Sequence, residues 1–220
     1  MESLEAELVR PADGLALLFT PPFDRSARDP GYIKAYPPGL RENGGQYTHA
    51  AAWTVIALAR QGKGDAAHAL FSILSPVSHT STRAGVERYK VEPYVVAADI
   101  YSVAPHVGRG GWTWYTGAAG WLYQAGLEWI LGVRVEGALL RLVPCLPRTW
   151  PSAEVTLRYR TAVYRITLLN PDGVSGGVRE LHVDGKELAP TTATVALRDE
   201  ALTHTIDVVL GHRTVPEAPG

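Results

Sequence analysis

The feature that most restricts the fold of this chain is a change of hydrophobic period close to Gly132. Upstream, apolar residues recur at helical spacing, most clearly over residues 48–61. Downstream, apolar and polar residues alternate, most clearly over residues 154–160 and 162–168, as they do in half-buried strands. The sequence therefore predicts an α+β protein in which helices precede a β-rich part.

The remaining elements follow from local signals at their ends. Asp65 is placed as the N-cap of a second helix, Pro93 suits the first turn of a third, and Gly132 ends a long apolar fourth. These three helices are predicted over residues 65–74, 92–103 and 113–131. Further strands are predicted over residues 138–144, 180–183, 194–197 and 203–210, with a hairpin turn at Asp184-Gly185. Strands at this spacing favour an antiparallel sandwich or a jelly-roll-like cap.

Composition excludes several classes of function. The formal net charge of −1 gives no reason to expect nucleic acid or an anionic membrane as a partner. Cys145 is the single cysteine, so the chain has no internal disulfide and no multi-cysteine metal site, which fits a reducing compartment. No apolar run approaches the roughly 20 residues that span a bilayer, and the acidic start does not resemble a signal peptide. We expect a cytoplasmic chain without a membrane segment, a metal or an organic cofactor.

The aromatic residues are distributed unevenly. All 6 tryptophans and 10 tyrosines precede Arg165, many of them beside glycine or proline. Aromatic faces in a cleft suit the C–H faces of sugars, but large aromatic side chains also fill cores. Either interpretation fits the sequence.

One loop is unusually rich in hydrogen-bonding groups. Residues 36–49 read YPPGLRENGGQYTH, with prolines that fix the backbone and glycines that permit close approach of a ligand. His49 falls in the first turn of the first predicted helix, where backbone N–H groups favour an anion. We interpret this loop as functional; the alternative is a structural loop with a capping histidine.

Two further stretches carry special residues. Residues 108–120, GRGGWTWYTGAAG, again bring glycines to the start of a helix and could seat a phosphate or a sugar hydroxyl, although close helix packing is an equal alternative. They lack the lysine and spacing of a nucleotide-binding loop. In residues 88–94, Glu92 is a candidate for contacting sugar hydroxyls or for acting as a general acid, and otherwise favours the helix dipole.

Four motifs in this order resemble the glycoside phosphorylases of family 94, most closely the carboxyl-terminal region of the cyclic β-1,2-glucan synthases in that family. The resemblance runs from about Arg10 to His212. It is carried by PPGLRENGGQYTHA, YKVEPY, GGWTWYTG and PCLP followed by Trp150, which begin at Pro37, Tyr89, Gly110 and Pro144.

The resemblance implies a fold and a set of site residues. Residues 1–132 would be the last helices of an (α/α)6 barrel, residues 133–213 a β-sandwich cap, and residues 214–220 a disordered tail. His49, Thr116 and Gly117 look like phosphate-binding residues. The side chains that look like sugar contacts are those of Tyr36, Arg41, Glu42, Asn43, Gln46, Glu92 and Trp114.

The resemblance also implies an inverting reaction. Inorganic phosphate, the co-substrate, attacks the anomeric carbon of a β-glucoside such as β-1,2-glucan, and one carboxylic acid protonates the departing oxygen. The family's general-acid aspartate and one phosphate-binding arginine lie upstream of the region that matches, and Asp24, Asp29 and Asp99 lack the expected surroundings. We therefore expect the chain alone to be inactive and to need an upstream part of the barrel or a homodimer mate. The alternatives are a non-catalytic carbohydrate-binding protein and a glycoside hydrolase that uses Glu92.

Overall fold

The computed structural model of the chain describes residues 2–114, 117–189 and 193–212. The chain divides into two compact units. The first, here called the helical unit, comprises Met1–Leu58 and Ala67–Ala125; the second, the β unit, comprises Ala59–Ala66 and Gly126–Gly220. The tail predicted at residues 214–220 lies outside the described residues.

The helical unit contains short helices joined by long irregular segments. In chain order the helices are α1 (Glu2–Leu8), α2 (Thr48–Arg60), α3 (Gly64–Leu74), α4 (Pro76–His79), α5 (Arg83–Tyr89) and α6 (Ala118–Gln124), and α6 continues as a π-helical turn over Ala125–Ile130. Short strands pair in twos: β1 (Val9–Arg10) with β2 (Leu15–Ala16), and β3 (Gln46–Tyr47) with β4 (Asp99–Ile100). A small core forms around Leu15, Tyr89 and Ile100.

The structure confirms the helices predicted at residues 48–61 and 65–74, with one correction at Asp65. Asp65 is not the N-cap, because α3 begins at Gly64. Its carboxylate instead accepts hydrogen bonds from the backbone N–H and Nε of Arg148, at 2.7 and 2.8 Å. Asp65, which was predicted to cap a helix, therefore binds Arg148 within the β unit, since both residues belong to that unit.

The helix predicted over residues 92–103 is wrong. That stretch contains strand β4, and its backbone bonds to distant segments: Thr48 N–H donates to Ala98 O, and Ala98 N–H donates to Trp112 O at 2.7 Å. The preceding helix, α5, stops where Lys90 adopts a left-handed φ of 55°. The fourth predicted helix begins only at Ala118 rather than at Thr113.

The β unit consists of two sheets that share one core. Its strands are β5 (Val133–Glu136), β6 (Leu139–Leu142), β7 (Ser152–Tyr159), β8 (Ala162–Leu169), β9 (Val178–Val183), β10 (Lys186–Leu188), β11 (Thr194–Ala196) and β12 (Thr203–Leu210). The sheet orders are β10-β9-β12-β8-β7 and β11-β6-β5. Leu140 of the small sheet and Ile166, Leu181 and Ile206 of the large sheet belong to the same buried cluster.

The expectation of an entirely antiparallel cap is wrong for one pair of strands. Strand β12 runs parallel to β8, with Ile206 opposite Ile166, and antiparallel to β9. Three strands intervene between β8 and β12 along the chain. Strand β12 begins at the same end of the sheet as β8 and lies between β8 and β9. Alternation within a strand reveals which face is buried but not the direction of its neighbour.

The described residues contain neither a membrane-spanning helix nor a cluster of metal ligands. None of their helices has the length and apolar character needed to cross a bilayer. No group of three or more histidine, cysteine, aspartate or glutamate side chains among them is arranged to hold a metal ion.

Candidate functional site

The loop over residues 36–47 is closed on itself by its glycines. Gly39 N–H donates to Asn43 O at 2.7 Å, and Gly45 N–H donates to Arg41 O at 2.9 Å. A Cβ on Gly45 would lie 2.5 Å from the backbone nitrogen of Arg41, so only glycine fits there. These glycines permit a tight fold of the loop, which is a different role from the approach of a ligand predicted from the sequence.

The side-chain amides of Asn43 and Gln46 serve this fold. Asn43 is buried; its Oδ1 accepts the Phe23 N–H at 2.6 Å and its Nδ2 donates to Tyr36 O at 2.7 Å. Gln46 is fully buried; its Oε1 accepts the Ala16 N–H and its Nε2 donates to the hydroxyl of Thr48. Direct sugar contact by these two amides stays a prediction, and the internal bonds favour a supporting role.

Arg41 and Tyr36 of this loop form a partly exposed cluster with the Trp112 ring. The guanidinium carbon of Arg41 lies 5.7 Å from the centroid of the Tyr36 ring and 5.6 Å from that of Trp112, within cation–π range. Trp112 is 58% exposed, so more than half of its surface is accessible. The structure thus brings together Tyr36 and Arg41, two of the predicted sugar contacts, and adds Trp112, which was not among them.

A buried carboxylate lies beneath this cluster. Asp99 is completely buried; its Oδ1 accepts the Trp112 N–H at 3.1 Å and lies 3.8 Å from Arg41 Nε, while its Oδ2 has no hydrogen-bond partner among the described residues. Burial raises the pKa of the Asp99 carboxyl, and the Trp112 N–H and the Arg41 guanidinium offset part of the rise. Asp99 therefore connects the loop of residues 36–47, through Arg41, with the segment that contains Trp112. Because Asp99 is completely buried, it cannot contact a substrate directly.

The pKa of Asp99 leads to a prediction about stability. Because the folded-state pKa lies above the unfolded one, the stability of the wild-type protein falls as pH rises from the ordinary aspartate value, near 3.9, through the raised value. Asp99→Asn cannot ionise and keeps an oxygen for the Trp112 N–H. We expect this variant to be at least as stable as the wild type at pH 7, with the difference disappearing near pH 4, measured as the free energy of unfolding in urea.

The matched control is Asp24→Asn, because Asp24 is exposed and lies 3.9 Å from Arg25 in a surface ion pair. The control should behave as the wild type at both pH values. A loss of stability in Asp99→Asn that is larger at pH 7 than at pH 4 would show that the Arg41 pair outweighs the cost of burial.

His49 is held by a set of aromatic rings at the start of α2. Its ring centroid lies 4.8 Å from that of Trp53, 5.7 Å from that of Trp121 and 6.0 Å from that of Tyr47. The Nε2 atom is buried and finds no hydrogen-bond partner among the described residues. The orientation of the imidazole is therefore fixed by packing.

Gly117, which was also predicted to bind phosphate, lies close to the His49 ring. A Cβ built on Gly117 would be 3.6 Å from Cε1 and 3.7 Å from Nδ1 of His49. Gly117 immediately precedes α6, so its backbone is presented beside the imidazole. Thr116, the third predicted phosphate contact, lies outside the described residues.

Glu92, Tyr94 and Trp114 form another exposed group. The indole Nε1 of Trp114 donates to Oε1 of Glu92 at 2.9 Å, and the Tyr94 and Trp114 rings meet edge to face with centroids 6.4 Å apart. Trp114 is 71% exposed and has a left-handed φ of 64°, a conformation that a non-glycine residue seldom adopts. This hydrogen bond is the largest of the effects that lower the pKa of the Glu92 carboxyl.

Glu92 is thus an ionised hydrogen-bond acceptor at neutral pH, because its lowered pKa favours the carboxylate. A general acid requires a raised pKa instead.

The remaining predicted sugar contact, Glu42, is partly buried, and its Oε2 has no hydrogen-bond partner within the described ranges.

The candidate site contains the His49 imidazole next to the backbone of Gly117. It also contains exposed aromatic rings, a guanidinium and carboxylates. Imidazole and backbone N–H groups suit a phosphate, and aromatic faces flanked by charged groups suit a sugar. Trp112, Trp114 and Gly117, one from each of the three groups, fall within residues 112–117 of the sequence.

The sequence of the chain is similar to those of several known proteins. The chain is 53% identical over 176 residues to the cyclic beta-(1,2)-glucan synthase NdvB of Rhizobium meliloti (strain 1021), covering 80% of this chain and 6% of that protein. It is 34% identical over 196 residues to the N,N'-diacetylchitobiose phosphorylase of Vibrio furnissii, covering 88% of this chain and 24% of that protein. The chain thus spans a quarter or less of the length of these relatives.

The match to the structure of a family GH92 alpha-mannosidase from Bacteroides thetaiotaomicron covers 74% of this chain and 18% of the mannosidase chain, at 12% sequence identity. Its TM-score of 0.29 is too low to support a conclusion about the fold. The family described as the Glycosyl hydrolase 94 superfamily, catalytic domain, matches residues 1–132, well over half of the chain. The chain therefore belongs to the glycosyl hydrolase 94 superfamily.

Proposed function

We propose that this chain provides the phosphate seat and part of the sugar site of an inverting glycoside phosphorylase that releases α-glucose 1-phosphate from β-1,2-glucan. The observation that carries the proposal is the placement of His49 against Gly117, within the region that matches the family. An oxygen of phosphate bonds to the anomeric carbon as the glycosidic C–O bond breaks, and a carboxylic acid gives its proton to the departing oxygen. Phosphate is already an anion, so no base is needed.

The substrate is inferred from two relatives together. One is a cyclic beta-(1,2)-glucan synthase, and the other is an N,N'-diacetylchitobiose phosphorylase. Tyr36, Arg41 and Trp112 form the acceptor-side surface in this proposal, and the carboxylate of Glu92 accepts a sugar hydroxyl. A β-glucoside and phosphate are then the two ligands of the site.

We further propose that the general acid is supplied from outside the described residues. The three aspartates considered from the sequence do not suit the role: Asp99 is completely buried, Asp29 accepts the Gly31 N–H, and Asp24 pairs with Arg25. Upstream helices of the same barrel, or a second copy of the chain, would complete the site. The chain alone then binds both ligands without turnover, which is also the behaviour expected of a non-catalytic carbohydrate-binding protein.

The hydrolase alternative depends on Glu92 as the acid. Its lowered pKa counts against that alternative, because the proton needed by the leaving oxygen is absent near neutral pH. Sugar release that continues without phosphate and stops in Glu92→Gln would nevertheless establish it.

The same substitution tests the sugar site. The neutral amide oxygen of glutamine still accepts a hydrogen bond, but a hydrogen bond to a charged acceptor is roughly twice as strong, so Glu92→Gln should bind β-1,2-glucooligosaccharides about fivefold more weakly. Isothermal titration calorimetry of the 220-residue chain measures this change.

The matched control is Glu87→Gln, because Glu87 is exposed and paired with Arg83 on α5. The control should retain the affinity of the wild type. Equal affinities for the two variants would remove Glu92 from the sugar site, and no binding by the wild-type chain would refute the sugar site as a whole.

A further inference from the structure

The β unit contains a cavity that the proposed reaction does not use. This cavity, here called the cap cavity, has a volume of about 330 Å³, at the lower end of the range of small-molecule pockets, roughly 300–1,000 Å³. It is lined by Tyr164, Val183, Asp184, Lys186, Leu188, Val195, Ala196, Arg198 and His204. All of these residues belong to the β unit.

The floor of the cap cavity is a stacked pair of rings from neighbouring strands. Tyr164 of β8 lies opposite His204 of β12, with ring centroids 4.9 Å apart and planes inclined by 23°. Nδ1 of His204 is 2.8 Å from Oδ2 of Asp184, and Asp184 Oδ1 accepts the Thr205 N–H at 2.9 Å. Nε2 of His204 is buried and has no hydrogen-bond partner among the described residues.

Both cations of the cap cavity project from fixed backbone. Lys186 follows the Asp184-Gly185 turn, whose two positive φ angles of 49° and 75° close the β9–β10 hairpin. The Arg198 backbone N–H donates to the Tyr164 hydroxyl at 2.8 Å, and the adjacent Asp199 accepts the N–H and hydroxyl of Thr161. Hydrogen bonds between segments that are distant in the sequence therefore frame the cavity.

The charges of the lining favour an anion. The Asp184 carboxylate is engaged by His204 and Thr205, and the hydrogen bond from His204 is the largest of the effects that lower its pKa. The guanidinium of Arg198 lies 3.7 Å from Glu200 and attracts the Asp184 carboxylate, and the Lys186 ammonium has no ion pair within the described residues. The two cations outnumber the one carboxylate of the lining, so the cavity has a positive charge beside an apolar wall.

From this geometry we propose that the cap cavity is a second ligand site, which takes a small molecule bearing one oxyanion group, either a phosphate or a carboxylate. The oxyanion lies between Lys186 and Arg198, and the body of the ligand packs against the Tyr164–His204 pair and the apolar wall. A guanidinium and an ammonium are the side chains best suited to bind such a group.

The test follows backbone amide signals of the β unit by NMR during titration with inorganic phosphate, D-gluconate and neutral D-glucose. We expect at least one anion to give saturable shifts at Lys186, Arg198 and Thr205, and glucose to give none. Shifts with phosphate alone assign a phosphate ligand, and shifts with gluconate alone assign a carboxylate ligand. Shifts with glucose equal to those with gluconate, or no shifts with either anion, would overturn the proposal.

Variants separate this site from the proposed phosphorylase site. The double substitution Lys186→Gln and Arg198→Gln should weaken anion binding at least tenfold. The control, Arg165→Gln, removes an exposed cation next to Tyr164 on the opposite face of β8 and should have no effect. His49→Ala should leave the β-unit shifts unchanged, so failure of one site does not imply failure of the other. Retention of wild-type affinity by the double variant would refute the role of the two cations.

Discussion

His49→Ala is expected to weaken phosphate binding by the helical unit at least tenfold. The His49 ring is fixed by Trp53 and Trp121 and lies against Gly117, so its removal leaves the backbone seat without the only side chain placed beside it in the described residues. Hydrogen bonds to charged groups contribute about 1.5–3 kcal/mol, which corresponds to roughly a tenfold to hundredfold change in affinity. The dissociation constant for phosphate, from titration followed at helical-unit signals, measures this effect.

Two further variants distinguish binding from packing. His49→Phe keeps an aromatic ring between Trp53 and Trp121 but removes both ring nitrogens, so it should bind phosphate as poorly as alanine while remaining folded. His106→Ala removes an exposed histidine of the same unit and should bind as the wild type does. Phosphate affinity in His49→Phe equal to that of the wild type would exclude the imidazole from the seat.

Gly132→Ala is expected to destabilise the β unit by about 3 kcal/mol or more. Gly132 has a φ of 70°, and a Cβ there would lie 2.1 Å from the backbone carbon and oxygen of Val143. The left-handed conformation costs about 1–2 kcal/mol for a residue with a side chain, and displacing packed backbone costs about 1–3 kcal/mol in addition. The change is measurable as faster amide hydrogen exchange in β8 and β12.

Gly137→Ala is the matched control for the clash. Gly137 has a similar φ of 64° in the β5–β6 turn, but a Cβ there meets no atom within 4 Å. Only the conformational cost then applies, about 1–2 kcal/mol. Equal destabilisation by the two substitutions would show that contact with Val143 is relieved without cost.

The parts of the fold that were predicted from the sequence depend on local signals. The helical spacing before Gln61, the alternation in β8 and the Asp184-Gly185 turn lie within a few residues of the structure that they specify. The failure at residues 92–103 has a different cause. The backbone of that stretch bonds to Thr48 and Trp112, and such pairing overrides helical spacing without leaving a local signal. The parallel placement of β12 beside β8 is non-local in the same sense.

The site was predictable in part for a related reason. The motifs suggested that His49 and Gly117 share a ligand. A Cβ built on Gly117 would lie 3.6 Å from the His49 ring, and the shared ligand stays a prediction. The internal roles of Asn43 and Gln46 were not predictable, because their partners, Phe23 and Ala16, lie far upstream in segments without any recognisable motif. Trp112 could have been included, since it precedes Trp114 in the same glycine-rich loop.

Phosphate titration of the wild-type chain, followed by NMR at the Gly117 amide and the His49 ring, tests the proposed phosphate site most directly. We expect both signals to shift together with one dissociation constant, and β-1,2-glucooligosaccharides to perturb Trp112 and the Trp114 indole N–H in the same protein. Phosphate binding that leaves Gly117 and His49 unperturbed, or no phosphate binding by the helical unit of a folded chain, would contradict this expectation.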